Sequence, residues 1–107
     1  MKVFLLSAGY GTRLRPITIN TPKCLVPING TPLIEYWFRL FKKYSISDIL
    51  INTHYKYKKI NNFVKKYNQS LKINLFYEKK LLGSLSSLIV NKEYFKNEES
   101  FLICYSD

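Results

Sequence analysis

The chain has 107 residues, 47% of them hydrophobic and 16% aromatic, which is enough apolar material for one domain with a modest core and too much for a disordered tail. Seventeen Lys and Arg against seven Asp and Glu give a net charge of +10, but the lysines are scattered along the helical stretches rather than gathered into an arm, so most of the charge reads as solvated surface and not as a nucleic-acid footprint. No apolar run approaches the ~20 residues of a membrane span, and Cys24 and Cys104 lack the spacing of a metal site or disulfide framework; a reduced, cytoplasmic protein without membrane or nucleic-acid partners is expected.

Val3-Phe4-Leu5-Leu6 opens the chain as a buried strand and breaks at Ser7-Ala8-Gly9-Tyr10-Gly11. That break also argues against a signal peptide, whose apolar core would be longer. Arg13, Arg15 and Lys23 follow, so the strand delivers a cationic loop at its carboxyl end, where open α/β sheets hold nucleotides. Glycines at 9 and 11 leave no Cβ in the way of a ligand, and their amides can face anionic oxygens. Arg13 and Lys23 can reach the same phosphates as a fork and as a point charge. Two better-known templates do not fit: Leu14 stands where a dinucleotide fingerprint has its third glycine, and Lys23 follows Pro22 rather than the glycine of a P-loop.

Cys24 to Ile28 reads as a short extended segment closed by the turn Asn29-Gly30, and Thr31-Pro32 as the N-cap and first position of a helix. Leu33, Ile34, Trp37, Phe38, Phe41 and Tyr44 recur at helical spacing, a stripe that packs on a sheet. Ile49 to Thr53 is a second strand and Tyr57 to Tyr67 a second helix, with Ile60, Phe63, Val64 and Tyr67 on one face. His54 and Tyr55 stand at the carboxyl end of the second strand; a lone histidine there reads more readily as a rim residue than as a general base. Ile73 to Tyr77 is a third strand with Glu78 at its end. After Leu81-Leu82, Gly83-Ser84 opens a third helix through Leu85, Leu88 and Ile89. Phe101 to Tyr105 is a fourth strand, before Ser106-Asp107. Strand and helix alternate, which implies parallel pairing and right-handed crossovers.

Leu6 through Pro16 with Thr18, then Pro22-Lys23 and Leu25-Val26-Pro27, resemble the paired signature of the sugar-phosphate nucleotidyltransferases, L-x-A-G-x-G-T-R-L-x-P-x-T followed by P-K-x-L-x-P. The resemblance implies an α/β fold, a Rossmann-like parallel or mixed sheet with flanking helices, here ending after the fourth main strand. Residues 1–107 would then be the N-terminal, nucleotide-binding part of a longer domain. The implied reaction joins a nucleoside triphosphate to a sugar 1-phosphate, giving an NDP-sugar and pyrophosphate. By the same resemblance Arg13 grips the departing phosphates, Lys23 bridges the α-phosphate and the sugar phosphate, and Leu6, Ala8, Gly9, Gly11 and Thr12 cradle the nucleotide. Glu78 and Gly83 hold the base, Tyr55 touches the edge of the site, and Asp107 holds Mg²⁺. The second loop, Glu78-Lys79-Lys80-Leu81-Leu82-Gly83-Ser84-Leu85-Ser86, is similar to the family's E-x-x-x-L-G-T-A-G but carries Leu85 and Ser86 where small Ala and Gly are usual. The match leans toward the guanylyl branch, with thymidylyl, uridylyl and cytidylyl transfer, or a non-catalytic nucleotide-binding module, as alternatives. A homo-oligomer is open for the full-length form, and the isolated 107-residue chain is expected to bind nucleotide weakly and to turn over poorly.

Overall fold

In a computed structural model, residues 1–67 and 70–106 are described. The opening apolar run forms β1 (Lys2–Leu6), buried from Val3 onward. The long loop after it makes three single 3₁₀ turns, at Thr12–Leu14, Ile17–Ile19 and Lys23–Leu25, with the Arg15–Pro16 bond cis. There follow β2 (Pro27–Ile28), β3 (Thr31–Pro32), α1 (Leu33–Lys43), β4 (Asp48–Thr53), α2 (Tyr57–Lys66), β5 (Lys72–Tyr77), α3 (Ser84–Val90), α4 (Lys92–Phe95) and β6 (Phe101–Tyr105).

The main sheet has the order β5-β4-β1-β6 with every pairing parallel, as the strand-helix alternation implies. Lys2 lies opposite Asp48 and Phe101, and Leu6 opposite Asn52 and Tyr105, so the carboxyl ends of three strands finish together. Side chains alternate across the pleat. Val3, Leu5, Ile49 and Ile51 point to the face covered by α1 and α2, where Ile34, Phe38, Phe41 and Ile60 meet them with Cys24. Phe4, Leu6 and Leu50 point the other way, against Phe95, Leu88 and Phe101. A strand covered on both faces has no polar alternation, hence the unbroken apolar text of β1. Burying each large side chain contributes about 1.5–3 kcal/mol.

Four local expectations are corrected, the first being Cys24 to Ile28, which is a strand only at Pro27–Ile28 and begins inside the Lys23–Leu25 turn. Thr31-Pro32 is a strand, and α1 begins at Leu33. Asn29 (φ 51°) and Gly30 (φ 80°) both take positive φ, the backbone of a tight two-residue hairpin, which pairs Pro27 with Pro32 and Ile28 with Thr31. Tyr44 caps α1 from outside the stripe and is 65% exposed, while in α3 Leu88 packs but Leu85 and Ile89 face outward. The four-residue α4 is unannounced in the sequence, yet its Phe95 is buried and stacks on Phe101 at 4.2 Å.

Candidate nucleotide site

The loop after β1 is folded back on itself by its own backbone. Gly11 adopts φ 65°, and its carbonyl accepts from the Thr18 hydroxyl at 2.5 Å and from the Leu14 amide at 3.1 Å. A Cβ at this position would stand 2.9 Å from Thr18 Cγ2 and 3.3 Å from Lys23 Cβ. Only a residue without a side chain lets the Arg13 turn and the Lys23 turn close over one another here. From outside, the Tyr55 hydroxyl reaches the carbonyls of Thr18 (2.7 Å) and Ile19 (3.0 Å), so Tyr55 fixes the loop and does not line the cavity beneath it.

That cavity, about 410 Å³, opens at the carboxyl ends of the strands and is of a size that holds small ligands. Leu6, Ala8, Gly9, Gly11, Thr12, Arg13 and Lys23 line it from the first loop, and Glu78 and Gly83 from the loop after β5. Asp107 lies outside the described residues. Among the described residues, no group of three or more His, Cys, Asp or Glu side chains is placed to hold a metal ion.

Glu78 is 2% exposed, and its carboxylate is held from three directions. Oε2 accepts from Asn52 Nδ2 at 2.9 Å and from the Ser87 hydroxyl, and Oε1 accepts from the Leu82 amide at 3.1 Å. Asn52 in turn accepts the Ser7 amide on Oδ1 at 2.7 Å. Neither Asn52 nor Ser87 stands out as a site residue in the sequence. Asn52 carries a faint signal, a polar amide closing the apolar run Ile49-Leu50-Ile51; Ser87 carries none.

His54 is a rim residue, as its isolation in sequence suggests. Its Nδ1 lies 2.6 Å from the Glu78 carbonyl, which can only accept, so Nδ1 donates there, and Nε2 pairs with the Tyr10 hydroxyl at 3.0 Å. Cys24, in the cavity wall, has its thiol pushed up from 9.0 to about 12 by burial, so it is a packing residue and not a nucleophile. Two contacts seat the far side of the cavity: Ser106 donates its amide to Leu6 at 3.1 Å, and Trp37 Nε1 donates to the Ser106 carbonyl at 3.2 Å.

The pattern of the nucleotidyl transferase family matches residues 2–107. The chain belongs to that family. Over 74 residues the chain is 46% identical to choline-phosphate cytidylyltransferase of Streptococcus pneumoniae, an alignment that takes in 69% of the chain and 32% of the relative. Over 98 residues it is 34% identical to D-glycero-alpha-D-manno-heptose 1-phosphate guanylyltransferase of Campylobacter jejuni, covering 92% of the chain and 44% of the relative. The solved structure of CTP:phosphocholine cytidylyltransferase from Streptococcus pneumoniae superposes with a TM-score of 0.83 at 36% identity, over 99% of the chain and 44% of that structure. The chain thus spans less than half the length of these relatives. No helix among the described residues is long and apolar enough to cross a membrane.

Proposed function

We propose that the cavity seats a nucleoside triphosphate for transfer of its nucleotidyl group to a sugar 1-phosphate, with release of pyrophosphate. The observation that carries this reading is the convergence of Gly9, Gly11, Arg13 and Lys23 on the same cavity as Glu78 and Gly83. The attacking phosphate oxygen is ionised at neutral pH, so the reaction asks for no general base. It asks for two polyanions held in line and for cations where charge develops. Arg13 is assigned to the phosphates that leave, and Lys23 to the α-phosphate and the incoming phosphate. Asp107, directly after Ser106 in sequence, is the residue proposed to hold Mg²⁺, which when bound supplies further charge neutralisation on the phosphates.

The base reading follows from Glu78. Oε1 accepts only the Leu82 amide among the described contacts, leaving a lone pair for a donor on the base. Adenine, guanine and cytosine each present an exocyclic amino group, and uracil and thymine present carbonyls instead, so the lone pair sets the first three apart from the last two. GTP is favoured, with CTP second, in keeping with relatives named for guanylyl and cytidylyl transfer. A thermal-shift series of GTP, CTP, UTP and dTTP, each with Mg²⁺, tests both parts, because a ligand at a hundredfold excess over its Kd adds about 2.7 kcal/mol to the stability of a protein it binds only when folded. The largest rise is expected with GTP. No rise with any nucleotide would overturn the triphosphate site, and a larger rise with UTP or dTTP would overturn the assignment of the base.

A further inference from the structure

The two loops that meet over the cavity leave strands that are not neighbours, since β4 separates β1 from β5. Their relative position is therefore set by whatever crosses β4. Asn52 does so. It is 4% exposed, sits opposite Leu6 of β1 and Phe76 of β5, and uses both ends of its amide: Oδ1 takes the Ser7 amide proton at 2.7 Å, and Nδ2 gives a proton to Glu78 Oε2 at 2.9 Å. The other oxygen of Glu78 takes the amide of Leu82, the residue before Gly83, at 3.1 Å. An unbroken series of hydrogen bonds thus runs from the amide that opens the first loop to the amide that opens the Gly83 corner.

We propose that Asn52 is a positioning residue that clasps the phosphate-binding loop to the base-binding loop and so fixes the length of nucleotide the cavity accepts. This rests on the reading of the cavity as a nucleotide seat. Asn52 lies in the cavity wall, but both ends of its amide are taken up by Ser7 and Glu78, and it acts through them. The task is specific to an amide at this reach, because one end must accept and the other donate. Replacement by aspartate keeps the acceptor for Ser7 but sets a second carboxylate against the buried Glu78, where like charges repel strongly. An apolar residue leaves the Ser7 amide without its acceptor and removes one of the three donors to the buried Glu78 carboxylate.

A clasp of this kind can be rebuilt with its donor and acceptor exchanged. In the double variant Asn52→Asp/Glu78→Gln, the carboxylate introduced on β4 accepts from Ser7 and from the amide introduced after β5, whose oxygen still accepts from Leu82. The test measures nucleotide affinity by calorimetry with MgGTP, and hydrogen exchange at the Ser7 and Leu82 amides, in the full-length protein and its Asn52→Asp, Glu78→Gln, double and Asn52→Ser forms. Asn52→Ser brings no charge inside and reads the loss of the bridge if Asn52→Asp does not fold. Each single variant is expected to weaken MgGTP by roughly ten- to a hundredfold, as for loss of a hydrogen bond to a charged group, and to speed exchange at both amides. The double variant is expected to return exchange at the Ser7 and Leu82 amides to within about threefold of the parent, the mark of two coupled residues, while its MgGTP affinity keeps the loss that Glu78→Gln brings at the base. Single variants that lower the melting temperature but leave affinity and both amides unchanged, or a double variant whose Ser7 and Leu82 amides exchange as fast as those of the single variants, would overturn the clasp. If the parent protein binds no nucleotide, the proposed function fails while exchange at Ser7 and Leu82 still decides whether the clasp exists.

Discussion

Gly9 and Gly11 stand two residues apart in one loop, yet their surroundings ask different things of them. A methyl group at Gly11 would collide with Thr18 and force a side chain into φ 65°, whereas nothing lies within 4 Å of the corresponding point at Gly9. Gly11→Ala is therefore expected to destabilise the fold by about 2–3 kcal/mol, seen as a lower denaturant midpoint. Gly9→Ala is expected to leave that midpoint in place and to weaken MgGTP about tenfold, measured by titration, because the room it fills belongs to the ligand. Cys24 yields a prediction in pH. Its native thiol stays protonated to about 12 while an unfolded one ionises near 9.0, so the native state binds more protons in that window and stability falls as pH rises through it. The stabilisation is intact below 9.0 and declines by at most about 1.4 kcal/mol per pH unit above it. Denaturant midpoints compared between about pH 8 and about pH 10 should fall further for the parent than for Cys24→Ala. At this scale the glycines, Arg13 and Lys23 were legible because they lie in a contiguous motif. Asn52 and Ser87 were not, because a buried bridge is defined by partners from other strands.

Elements were readable where one physical pattern ruled them. The four long strands are short apolar runs, and α1 and α2 carry stripes at helical spacing, so their positions agree with the structure to within a residue or so. The failures lie where two signals compete. Thr31-Pro32 carries the chemistry of a helix start, but the positive-φ turn at Asn29-Gly30 pairs it with Pro27-Ile28 first, and the helix starts one residue later. The outward-facing Leu85 and Ile89 in α3 show that apolar spacing alone does not say which stripe the sheet covers. The long loop between β1 and β2 offers no periodicity, and its order comes from contacts made to it. Tyr55, just past β4, makes two of them, so Tyr55→Phe is expected to weaken MgGTP by about five- to tenfold with a melting temperature within about 2 °C of the parent, as the loop loses one shared donor but the core loses nothing.

For the whole molecule, the order β5-β4-β1-β6 places a change of winding direction beside β1, and the crevice at the carboxyl ends of such a sheet is where a ligand fits. Strand-helix alternation foretold parallel pairing, but nothing in the text of β6 told on which side of β1 it would lie. The +10 charge is a property of the surface at large, and we assign affinity for anions at the site to Arg13, Lys23 and nearby amides rather than to the total. The most direct test of that claim is calorimetric titration of MgGTP into the full-length protein and its Arg13→Gln/Lys23→Met form, with folding checked by circular dichroism. Loss of both side chains is expected to weaken binding by at least about a hundredfold, since charged hydrogen bonds to phosphate contribute about 1.5–3 kcal/mol each. Affinity within about twofold of the parent, in a folded variant, would contradict the assignment of this cavity to a triphosphate.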